Sequence, residues 1–202
     1  MFTLTDSTGE KVYRVRGSRF IAATVPLGRQ EEIGQILGGV RARFPDATHI
    51  CYAYRLGDVG ERVTQFASDA GEPTGSAGKP ILNVLRRADL VNVAVWVVRY
   101  YGGTKLGIPG LIDAYTQAVR LTLGDSSPVP WVAMTGIAVT LPYPLVDRVK
   151  VDVQGLGGEV RHAIYTGQVE LQLHIPVHEA PGFLERLTEW GGGAIHVTGD
   201  ED

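Results

Sequence analysis

Cysteine is nearly absent from this 202-residue chain, with Cys51 the single one. That excludes an internal disulfide framework and any cysteine-rich metal site. Long apolar runs are missing too: none approaches the roughly 20 residues that a bilayer-spanning helix needs. The N-terminus, MFTLTDSTGEKVYRVRG, has no basic region followed by an apolar one, so no secretory signal is expected and the expected location is the cytoplasm. Strong charge of one sign is also lacking, since the formal net charge is only −3. The two halves nevertheless differ, with a balance of +3 over residues 1–130 and −6 over residues 131–202. An excess of +3 is too small to identify a nucleic-acid footprint, which is a clustered patch rather than a surplus. What remains is ordinary: 44% hydrophobic and 20% charged residues, the composition of a protein with a real core.

Glycine, serine and proline concentrate in GDSSPVPW, residues 124–131, a boundary between domains expected at 1–125 and 131–202. Ahead of it, KVYRVRGSRFIAATV reads as two strands broken near Gly17–Ser18. QEEIGQILGGVRARF carries Ile33, Ile36, Leu37, Val40 and Phe44 at helical spacing. THICYAYRL and ERVTQFASD read as strands joined across the turn GDVG. PILNVLRRADL is a short helix, NVAVWVVRYY a strand apolar on both faces and therefore central, and LIDAYTQAVRLTL a second helix. Beyond the boundary the order is βαββαβ. Val169, Leu171, Leu173 and Ile175 alternate with polar neighbours, as in the ferredoxin-like split βαβ.

Two glycine-rich loops stand out. The first, SDAGEPTGSAGKPIL, runs into the short helix. It is not a Walker A loop, because Pro73 stands where the first glycine belongs and Pro80 where the magnesium-binding hydroxyl belongs. Gly71, Gly75 and Gly78 can still turn backbone N–H groups toward one concavity. A helix N-terminus beside Lys79 can then receive an anion. The second loop repeats the device: Arg99, Tyr100 and Tyr101 end a strand, followed by Gly102, Gly103 and Lys105 and by Gly107, Pro109 and Gly110 opening a helix. Gly71, Gly75, Gly78, Lys79, Arg99, Tyr100, Gly102, Gly103 and Lys105 are therefore the candidate anion- or nucleic-acid-binding residues. The tyrosines would offer stacking faces for exposed bases. The weaker catalytic candidates are Asp69, Glu72 and His49, since acid–base chemistry needs two such groups with separated pKa values. Asp69 can equally be a turn or capping residue. Cys51, inside a strand, reads as core. His162, His174, His178 and His196 lack metal-ligand spacing, so neither a metal nor a cofactor is expected.

The pairing of SDAGEPTGSAGKPIL with VVRYYGGTKLGIPGLIDAY resembles the IMPACT/YigZ family, and RGSRFIA and HICYAYRLG match its pattern as well. The resemblance covers nearly all of residues 11–123, and the βαββαβ unit is similar to the second domain of the family's bacterial members. It implies an α+β fold. The N-terminal βαβ domain would be of the ribosomal-protein and elongation-factor-G domain IV type, with a left-handed crossover, and the C-terminal domain ferredoxin-like, as in elongation factor G domain V. Eukaryotic relatives regulate translation by restraining activation of the amino-acid-starvation kinase; for bacterial members nucleic-acid or ribosome binding is the usual proposal. Two positions depart from the family's pattern: Ala70 stands where a second acid is common, and Pro109 where glycine is common. The expected function is therefore a non-enzymatic nucleic-acid- or ribosome-associated regulator of translation, with RNA, the ribosome or a protein of translation as partner and no membrane. The alternative is an enzyme or binding protein for a small phosphorylated metabolite or nucleotide.

Overall fold

In the computed structural model, which describes residues 1–58 and 62–199, the chain divides into two units, Met1–Trp131 and Val132–Asp202. The first is built on a five-stranded antiparallel sheet. Its strands β2 (Lys11–Val15) and β3 (Ser18–Pro26) form a hairpin. The turn residues Arg16 and Gly17 both have positive φ, 44° and 78°, as a tight two-residue hairpin requires. With β4 (His49–Gly57), β5 (Val63–Ser68) and β6 (Val93–Tyr100), the order across the sheet is β2-β3-β6-β4-β5. Val59 and Gly60 of the expected GDVG turn between β4 and β5 lie outside the described residues.

Helices cover both faces. Side chains of a strand alternate, so Val93, Val95 and Val97 of β6 pack with Ile81, Leu85, Leu111, Tyr115 and Val119 of α2 (Gly78–Arg87) and α3 (Gly107–Leu123). Trp96 and Val98 point the other way, into Leu37 and Val40 of α1 (Glu32–Arg43). That three-layer arrangement accounts for the unbroken apolar run VAVWVV. Just beyond the C-terminal end of α2, the buried Arg55 guanidinium donates to the Leu90 carbonyl at 2.7 Å.

The segment expected as a linker is partly structured. Val129–Pro130 (β7) returns to pair with Phe2–Thr3 (β1), and the Trp131 ring lies so close to Gly57 that a Cβ there would meet it at 2.7 Å.

The second unit consists of β8 (Met134–Leu141), α4 (Val146–Gly155), β9 (Glu159–Tyr165), β10 (Val169–Pro176), α5 (Ala180–Gly191) and β11 (His196–Gly199). The order β11-β8-β10-β9, antiparallel throughout, is that of the ferredoxin-like split βαβ. Val169, Leu171, Leu173 and Ile175 are buried against Val149, Val153, Phe183 and Leu187, while Glu170 and Gln172 stay exposed. No helix among the described residues is long and apolar enough to cross a membrane.

Candidate functional site

The first glycine loop is folded around its own carboxylate. After β5 the backbone turns through left-handed conformations at Ala70 (φ 45°), Gly71 (φ 90°) and Gly75 (φ 77°). This brings the following residues back over Asp69. Its Oδ2 accepts the Gly75 N–H at 2.8 Å; Oδ1 accepts those of Ala77 at 2.9 Å and Gly78 at 2.8 Å. Gly78 must be glycine, since a Cβ there would stand 2.7 Å from the backbone nitrogen of Ser68. Partial burial pushes the Asp69 carboxyl up, but the three N–H donors outweigh it and hold the pKa below the usual carboxylate range. The backbone donors expected at Gly75 and Gly78 for an external anion are thus already engaged. An internal carboxylate fills the concavity without any loss of association entropy, so it wins over a ligand.

Beneath the loop lies a buried polar network. Oε1 of Glu72 accepts from the Arg99 guanidinium at 2.6 Å and from the Tyr115 hydroxyl at 2.8 Å. Glu72 is 8% and Arg99 6% exposed. Arg99, expected at an anion site, therefore lies inside, packed over the rings of Phe20 and Tyr101. The Cys51 thiol donates to the Asp69 carbonyl at 3.0 Å, and burial pushes its pKa up to about 12. Burial, together with Cys51 and Glu72, likewise raises the Tyr115 hydroxyl. Nδ1–H of His49 donates to the Ala70 carbonyl at 2.9 Å. Asp69, Glu72 and His49 do gather around one loop, but each is engaged in holding it.

The second loop is pinned by close backbone approach. Gly102 backs onto the β2–β3 turn so tightly that a Cβ would overlap the Gly17 carbonyl group, and its N–H donates to Ser18 Oγ at 3.2 Å. Gly103 supplies the left-handed step (φ 84°), and the Tyr101 hydroxyl donates to its carbonyl at 2.6 Å. Tyr100 does not share this side of the sheet: it packs with Trp96 and Val98 on the α1 face, with the Arg19 guanidinium 4.3 Å over its ring. Lys105 is exposed ahead of α3.

What opens to solvent is a groove of about 400 Å³ between α2 and α3. Lys79, Asn83 and Arg87, one on each successive turn of α2, form one side; Pro80 and Val84 form the floor, and Ile112 and Thr116 of α3 the other side. Lys105 stands outside it. Among the described residues Lys79, Arg87 and Lys105 have no ion-pair partner. Asn83 and Arg87 were not anticipated, although their positions four and eight residues after Lys79, one helical face, were the available signal. No group of three or more His, Cys, Asp or Glu among the described residues could hold a metal ion.

A three-layer α+β unit bearing two glycine loops, followed by a ferredoxin-like unit, defines a two-domain class of protein. The sequence profile of the Impact N-terminal domain matches residues 16–123, and that of a domain of unknown function, DUF1949, matches residues 139–194. The chain belongs to the IMPACT family. It is 34% identical to an IMPACT family member of Thermus thermophilus, over 92% of this chain and 99% of that one. It is 30% identical to YvyE of Bacillus subtilis over 97% and 89% of the two chains, and 28% identical to YigZ of Escherichia coli over 95% and 94%. A crystal structure of a protein described only as hypothetical superimposes with a TM-score of 0.68 at 26% identity, covering 100% of this chain and 97% of that one.

Proposed function

We propose that this chain is a non-enzymatic, translation-associated protein that binds RNA through its phosphates, using Lys79 and Arg87 on α2 and Lys105 ahead of α3. The observation that carries the reading is the pair of unpartnered cations two turns apart on one exposed edge of the α2–α3 groove. Uncommitted Lys and Arg side chains along one helix edge are groups that a phosphate backbone can engage. Membership of the IMPACT family, to which the resemblance attaches a role in translation, supports the same assignment. The engagement of Asp69, Glu72 and His49 in holding the first loop weighs against an enzyme. The groove volume does lie in the range of small-ligand sites, which keeps a phosphorylated metabolite as the second reading.

Fluorescence anisotropy with labelled RNA over a salt series tests this. Log K should fall linearly with log salt, and Lys79→Ala, Arg87→Ala and Lys105→Ala should each weaken binding and reduce the slope by about one. Absent or salt-independent binding removes the RNA reading. A melting point raised by a phosphorylated metabolite, with no RNA bound, would select the second.

A further inference from the structure

The geometry points to single-stranded rather than duplex RNA as the occupant of the α2–α3 groove, with one unstacked base seated between Lys79 and Arg87. This rests on the RNA reading of the same groove and adds the form of the ligand. Lys79 and Arg87 are eight residues apart, about 12 Å along the helix axis, which leaves the turn between them open to the groove. Between them stands Asn83, half-buried in the groove, whose side-chain amide has no hydrogen-bond partner among the described residues. A free carboxamide carries both donors and an acceptor, and it pairs with base edges, adenine above all.

The floor decides between the two forms. A duplex meets a protein with phosphates and sugars, its bases stacked inside. It would satisfy the two cations and leave Asn83 and the apolar floor uncovered. Pro80 and Val84, both buried, and Ile112, 40% exposed on the opposite wall, make a concave apolar seat instead. Splayed bases of single strands occupy such seats, where their faces lie on apolar side chains and their edges reach polar ones. Cations hold the backbone, the apolar floor takes the base, and the carboxamide reads its edge.

The test uses the full-length chain and a mixed-sequence RNA of about twelve nucleotides, free or annealed to its complement, at matched salt. The single strand should bind about tenfold more tightly than the duplex. Asn83→Ala should weaken single-strand binding several-fold without changing its salt slope, because it removes a base contact and no phosphate contact. Ile112→Ala and Ile112→Glu should weaken it too; the position is partly exposed, and an unchanged melting curve checks that both variants fold. Duplex binding as tight as the single strand, or Asn83→Ala binding like the parent, overturns this inference and leaves the RNA reading intact. If neither form binds, the RNA reading falls and this inference with it.

Discussion

Replacing Asp69 with alanine removes the acceptor of three backbone N–H groups at once, those of Gly75, Ala77 and Gly78. Hydrogen bonds to a charged group are worth about 1.5–3 kcal/mol each, and an alanine at a helix cap costs about 0.5–2 kcal/mol. The site is only partly buried, so water can reach some of the freed donors, and a loss of about 3 kcal/mol is expected for the N-terminal unit. With a urea m value of about 2 kcal/mol/M, the midpoint falls by about 1.5 M. Asp69→Asn should cost less, since its one oxygen can still serve Ala77 and Gly78 while its NH2 confronts the Gly75 N–H. Because two units can unfold separately, the experiment is best done in a Trp190→Phe background, where only Trp96 and Trp131 of the first unit report. A depressed carboxylate contributes stability that is fully present above its ordinary value and lost as pH falls through the folded one. The gap between the parent and Asp69→Ala should therefore close below about pH 4. A midpoint shift under about 0.3 M, or an asparagine as costly as alanine, would refute the reasoning.

Other consequences can be measured on the same unit. Glu72→Ala leaves the Arg99 guanidinium buried without its partner and should cost about 3–5 kcal/mol, whereas Glu72→Leu combined with Arg99→Met should recover much of it; calorimetry reads both. Ala70 holds a left-handed φ of 45°, so Ala70→Gly should stabilise by about 1 kcal/mol and raise the melting temperature of the first unit. The Cys51 thiol, fully buried and with its pKa pushed up to about 12, should react with a disulfide-exchange reagent at pH 8 only after unfolding. Rapid labelling of the native chain would contradict its placement.

The elements themselves were legible because their periodicity is strong. VAVWVV announced a strand covered on both faces, and the alternation from Val169 to Ile175 announced a sheet with one open face. The Val129–Pro130 pairing with Phe2–Thr3 was not, since two-residue strands carry no period. At the site, the loop glycines were legible but their use was not. Whether a loop's N–H groups face a ligand or the chain's own carboxylate depends on where the backbone turns at Ala70, Gly71 and Gly75. Glu72 meets Arg99 and Tyr115 across 27 and 43 residues, a separation that no local pattern encodes. Tyr100 is a different case. Strand alternation alone separates it from Arg99, and the two were grouped because both follow the apolar run.

Hydrogen exchange of the full-length chain with and without single-stranded RNA tests the central claim most directly. Slowed exchange should appear in residues 79–87 of α2 and residues 105–116 at the start of α3, and should vanish in the Lys79→Ala, Arg87→Ala double variant. Protection confined to residues 132–199, or unchanged by that double substitution, would contradict the assignment of this groove as the RNA-binding surface.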